Sequence, residues 1–123
     1  MGIVVSHAPG PTLWDIVQVD FPFADRAEMR RRPALVIAAA KVHAEFSLLW
    51  LAMITRATGG SRPFDVPISD LASGGLLRPC VIRTSKTASI DSRLVRWTGS
   101  LSQADRQAVA ATLRKVLDPA LSL

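Results

Sequence analysis

Three consecutive arginines, Arg30, Arg31 and Arg32, stand directly before Pro33 and the apolar run Ala34-Leu35-Val36-Ile37. Each guanidinium offers paired, planar N–H donors that fit phosphate oxygens. Arg30 and Arg31 suit backbone binding, since phosphate contacts fix register without chemistry. Proline biases Arg32 toward extended backbone, so the triplet is expected where a loop hands the chain to a strand, three cations at a sheet rim. That arrangement suits a phosphate backbone. His7 and His43 have better intrinsic pKa values for moving protons, but neither has a partner at motif spacing, and both read as surface or loop histidines. Cys80, before Val81, reads as a small buried apolar residue rather than a nucleophile. No His and Cys cluster has metal-ligand spacing, and neither metal nor cofactor is expected.

The composition agrees with an anionic partner. Fifteen Lys and Arg oppose ten Asp and Glu for a net charge of +5, and twelve of those fifteen cations are Arg. Hydrophobic residues at 49% against 20% charged exclude disorder as the main state. A chain of 123 residues fits a single domain over 1–123, with 1–13 as a lead-in. One cysteine cannot form an internal disulfide, Met1–Ser6 lacks a secretory pattern, and the apolar runs 34–40 and 46–54 fall far short of the roughly 20 residues of a membrane helix. A cytoplasmic location and no membrane association are expected.

The elements that must position the arginines can be placed from periodicity and breakers. Residues 14–20 are rich in β-branched and aromatic types and end at Pro22, which predicts a first strand; 24–32 is polar and reads as a loop. Runs 34–40 and 46–54 predict neighbouring antiparallel strands, buried on both faces, at the sheet centre. A turn at Gly59-Gly60-Ser61, a short strand at 64–66 and one helical turn at 69–72, stopped by Gly74-Gly75, connect the halves. Val81-Ile82-Arg83 and 93–97 predict two more strands flanking a polar connection from Thr84 to Ser92. Residues 102–117 predict one long helix, with Ser102 as cap, Asp105 as its reciprocal partner or dipole complement, and Val109, Leu113, Val116 and Leu117 as a stripe that must dock on the sheet or on a partner subunit. Pro119 is expected to stop it.

This order of elements, with Asp15-Ile16-Val17-Gln18-Val19-Asp20-Phe21-Pro22-Phe23, then Arg32-Pro33-Ala34-Leu35-Val36-Ile37, then a strand ending Ile54-Thr55, and then Leu76 through Asp91 and a capped C-terminal helix, resembles the MazF/PemK family of toxin endoribonucleases over about residues 14–117. The loop sequence Ala24-Asp25-Arg26-Ala27-Glu28-Met29 is similar to the PemK-like branch. The resemblance implies a mainly β fold with α: a small SH3-like antiparallel barrel of CcdB/PemK type with a C-terminal helix. It implies a homodimer neutralised by a cognate antitoxin, expected to be a small acidic chain whose flexible tail covers the arginine-rich groove. It places Arg32 at the family's catalytic arginine and Thr55 at its catalytic threonine or serine, and brings Ser85, Lys86 and Thr87 near the RNA. For Lys86, RNA contact and plain solvation both remain open. The family usually begins its first strand with Gly-Asp; here Trp14 precedes Asp15, so aromatic packing is expected to replace the glycine turn.

In that family the ribose 2′-hydroxyl attacks the neighbouring phosphate of single-stranded RNA without metal, leaving a 2′,3′-cyclic phosphate and a 5′-hydroxyl. An arginine fork and a hydroxyl can meet the charge that develops on the phosphoryl oxygens. Arginine is a poor base at neutral pH, so Arg32 reads first as an electrostatic clamp. It could move protons only in a site desolvated enough to lower its pKa. Two other classes stay open on the residues: a noncatalytic CcdB-like toxin that binds a protein target such as gyrase, and an RNA-binding module without turnover.

Overall fold

The computed structural model describes residues 10–22, 29–58 and 60–123. Its strands are β1 (Asp15–Pro22), β2 (Met29–His43), β3 (Phe46–Arg56), β4 (Asp65–Pro67), β5 (Cys80–Asp91) and β6 (Arg96–Ser100), followed by helix α1 (Gln103–Leu121). They form one antiparallel sheet in the order β4-β5-β3-β2-β1-β6, with the β2–β3 pair at its centre as predicted. The mainly β architecture with a C-terminal helix is the expected one. Among the described residues the edge strands β4 and β6 do not pair with each other, so the ladder is an open, barrel-like sheet rather than a closed barrel.

The imperfect alternation of β1 has a physical cause. Ile16 and Val17 are both fully buried, because the sheet carries an apolar cluster on each face. Ile16 joins Leu35, Ile54, Ile82 and Leu101 under Val109 of α1, while Val17 joins Val19, Ala34, Leu49, Leu51 and Met53 on the opposite face. A strand with two dry faces loses the polar half of its period.

Trp14, directly before β1, has φ +75°, a conformation that costs an L-residue roughly 1–2 kcal/mol. Its N–H donates to the Val36 carbonyl (2.9 Å), its carbonyl accepts from Leu101 N–H (2.9 Å), and its ring packs on the helix-side cluster. Aromatic packing does stand where the family pattern has glycine.

Several boundaries differ from the expected ones. The segment 24–32 is not all loop: β2 starts at Met29, and Asp20↔Arg31 and Val19↔Arg32 are rungs with β1. The charged run hid a strand held to β1 by backbone rungs. Residues 84–92 are likewise not a connection. β5 runs through to Asp91 with Thr84, Ser85 and Lys86 bulged out between the rungs Met53↔Arg83 and Ala52↔Thr87. The strand expected at 93–97 is instead a 3-10 turn at Ser92–Leu94 and then β6. The β2–β3 hairpin is buried only at one end; Leu48 and Trp50 face out. The helical turn expected at 69–72 is a chain of turns over 71–75, and Gly59 of the predicted 59–61 turn lies outside the described residues. Pro119 lies inside α1, which runs on to Leu121 in an exposed last turn where the missing N–H matters little.

Candidate nucleic-acid interface

The β2–β3 ladder ends at Ala34↔Met53, beside Pro33, which has no N–H to continue it. Continuing that register two rungs sets Arg32 opposite Thr55, and directly opposed residues emerge on the same sheet face. At this open end lies a cleft of about 280 Å³ lined by Gln18, Arg31, Arg32, Pro33, Ile54, Thr55, Arg56, Gly75, Leu76, Leu77, Arg78 and Cys80. Arg31, Arg32 and Thr55, three of the residues singled out from sequence, thus share one concavity.

Its electrostatics are one-sided. Among the described residues, four arginines line the cleft and no carboxylate does. Arg31 approaches Asp20 at 3.5 Å, but both side chains are more than half exposed, so the pair is screened and weak. Burial pushes the Cys80 thiol upward in pKa, against the pull of the nearby Arg56 charge, and its S–H donates to the Arg78 carbonyl at 3.0 Å. The thiol stays protonated at neutral pH and stands in the cleft wall, half-buried rather than buried as the sequence suggested.

The wall opposite the strands is built by residues 68–79, and Asp105 holds it. This carboxylate accepts from Ser69 N–H (2.9 Å), Ser69 Oγ–H (2.8 Å) and Asp70 N–H (3.3 Å). Burial would raise its pKa, but these bonds and the Ser102 hydroxyl outweigh that and hold it below the usual carboxylate range. The capping box therefore forms only by half. Ser102 accepts from Asp105 N–H, whereas the Asp105 side chain turns away to the loop. Gly75, with φ +73°, turns the chain toward Leu76. Nearby, Asp65 and Arg83 form a two-pronged pair at 3.1 and 3.0 Å, with Asp65 held low in pKa by the guanidinium hydrogen bonds. Arg83 is thereby neutralised within the fold.

The remaining candidates are not gathered here. Ser85 and Lys86 sit exposed in the β5 bulge, two rungs from Thr55 along β3, roughly 7 Å. Thr87 lines a separate groove of about 460 Å³ with Trp50, Leu113 and Val116. The Arg30 side chain and all of His7 lie outside the described residues. His43 is at the far hairpin end, stacked on Phe46 and beside Glu45. Sequence reasoning missed Gln18, Arg56 and Arg78 as cleft residues. A signal existed for the last, since Arg78-Pro79 repeats the Arg32-Pro33 dipeptide. Among the described residues no group of three or more His, Cys, Asp or Glu could hold a metal ion.

Comparisons with known proteins fit this geometry. A family model described as "PemK-like, MazF-like toxin of type II toxin-antitoxin system" matches residues 13–117. The Mycobacterium tuberculosis toxin MazF-mt6 is 26% identical with a TM-score of 0.58, covering 72% of this chain and 88% of that one. MazF from Deinococcus radiodurans (Form-I) is 22% identical with a TM-score of 0.63, over 89% of this chain and 97% of its own. A MazE-MazF structure (Form-III) from the same organism is 22% identical with a TM-score of 0.58, over 92% and 97%. At that lower identity the two Deinococcus structures bear on the fold alone. No match is found among curated proteins.

Proposed function

The chain belongs to the family of PemK-like, MazF-like toxins of type II toxin-antitoxin systems, and from that premise we propose that it is a metal-independent endoribonuclease that cuts single-stranded RNA and inhibits growth. The carrying observation is that Arg32 and Thr55 line one cleft, which holds no carboxylate among its described lining residues. The charge of a phosphorane forming at that pair would meet a guanidinium and a hydroxyl donor.

In this reading the 2′-oxygen bonds to phosphorus and the bond from phosphorus to the 5′-oxygen breaks. The 2′-hydroxyl proton is lost, a proton reaches the departing 5′-oxygen, and a cyclic phosphate remains. Arg32 clamps the non-bridging oxygens and Thr55 donates its hydroxyl to the same charge. Arg31 and Arg30 hold flanking phosphates; Ser85, Lys86 and Thr87 extend the path along β5.

Substituting Arg32 by Ala removes one such donor and is expected to cut turnover by about 10²–10³-fold with the fold intact by circular dichroism. The assay is RNA cleavage in EDTA with identification of the new ends. Full activity in the purified variant rejects the role of Arg32. RNA binding without cyclic phosphate would indicate a module lacking turnover, and neither binding nor cleavage would favour a protein-directed toxin of CcdB type.

The partners follow from the same cleft. A MazE-MazF pair has been described for Deinococcus radiodurans, and an acidic antitoxin segment is the charge complement of a cleft lined by four arginines. A homodimer is also part of the proposal. Its support is the helix stripe, where Val109 is buried but Val116 and Leu117 are 44% and 41% exposed beside Trp50. A cytoplasmic site of action fits an RNA target, and among the described residues no helix is long and apolar enough to cross a membrane.

A further inference from the structure

We propose that Arg56 and Arg78 form a second phosphate subsite of the cleft, separate from the reacting phosphate at Arg32 and Thr55, which grips an adjacent nucleotide of the RNA strand. The inference rests on the RNA reading of the cleft and deepens it. Arg56 follows Thr55 directly in β3, so the pleat sends its side chain to the opposite face of the strand from the Thr55 hydroxyl. Such a group cannot share the Thr55 phosphate from the same side, yet both residues line the one cavity.

Arg78 is brought to Arg56 by the backbone. Ala57 N–H donates to the Pro79 carbonyl at 3.0 Å, Arg56 pairs with Cys80, and the Cys80 thiol donates to the Arg78 carbonyl. Pro79 further restrains Arg78 to extended backbone. Both side chains are exposed, and among the described residues neither has an ion-pair partner, in contrast to Arg31, Arg83 and Arg93. Two arginines on adjoining backbone segments of one cleft, with no carboxylate among its described lining residues, suit a phosphate bound between them.

The subsite makes a quantitative claim about RNA binding. For a single strand, each phosphate that the protein ceases to neutralise lowers the slope of log K against log salt by about 0.7, so losing this one phosphate in Arg56→Ala with Arg78→Ala should flatten it by about that amount. KM for RNA should rise about ten- to hundredfold while kcat at saturating RNA stays within about threefold, because the two arginines hold their phosphate in ground and transition state alike. Binding would be measured on a mixed-sequence single-stranded RNA oligonucleotide with Arg32→Ala protein, with and without the two substitutions. Turnover would be measured in the otherwise unmodified chain. The variant Arg56→Lys with Arg78→Lys keeps the charges and should recover most of the slope, and thermal melts check that each variant folds. An unchanged slope and KM in the double alanine variant, with the parent protein still binding and cutting RNA, overturns the subsite and leaves the nuclease reading standing. A fall in kcat with KM unchanged also overturns it, since the pair would then act at the reacting phosphate. If the parent neither binds nor cuts RNA, the functional reading fails and the subsite with it.

Discussion

Asp105 illustrates how a single side chain serves the site without touching it. Its buried carboxylate closes the turn that starts the cleft wall by accepting from the Ser69 and Asp70 N–H groups. Removing it as Asp105→Ala should cost roughly 3 kcal/mol. The sign of the pH dependence follows from its lowered pKa. The carboxylate contributes its full stability above the ordinary range near 4, and that contribution disappears as pH falls through the lower folded value. Urea midpoints between pH 6 and pH 2 should therefore fall steeply for the parent chain and less steeply for Asp105→Asn. Equal slopes would mean that the carboxylate charge is not what holds the loop. In the sequence Asp105 reads as part of the helix cap; nothing in its spacing from Ser102 announces a loop 36 residues earlier in the chain.

At the scale of elements, the cleft depends on how closely β6 approaches the 71–75 turns. Gly99 lies so near that an added Cβ would meet the Ser73 carbonyl oxygen at 2.4 Å and Gly74 backbone atoms at 2.6 and 2.8 Å. Ser100 N–H donates to that same Ser73 carbonyl. Gly99→Ala must push backbone against backbone, and a loss of about 1–3 kcal/mol is expected from melts. Because the same turns lead into Gly75 and Leu76 of the wall, RNA affinity should drop as well; unchanged stability and affinity would show that the approach is looser than this geometry. A glycine before a serine in a strand signals little by itself. The strand cores were legible in β-branched and aromatic runs, whereas Met29–Arg32 and Thr84–Asp91 were not, since most of their side chains are polar or charged and backbone rungs hold them in the sheet.

For the molecule as a whole, the excess of five positive charges and the concentration of four arginines at one opening would give the proposed RNA association a long-range, salt-sensitive component. The other exposed feature is apolar and lies along α1, where Leu113, Val116 and Leu117 border Trp50. In the proposed homodimer this face is the one to cover. Leu117→Glu should shift sedimentation from dimer toward monomer with little change in the melting of the subunit, since Leu117 is only partly buried within it. A dimer of undiminished strength would move the interface elsewhere.

Sequence alone determined that the chain is mainly β with a capped C-terminal helix, and it singled out Arg32 and Thr55, which line one cleft. These depend on local periodicity, turn chemistry and motif identity, all readable within a few residues. Tertiary structure alone decided that Arg56 and Arg78 complete the cleft, that Asp105 braces its wall, and that Thr87 faces another groove. Those facts depend on strand register and on contacts between distant segments, and register is set by which apolar faces find each other in three dimensions rather than by any one stretch of chain.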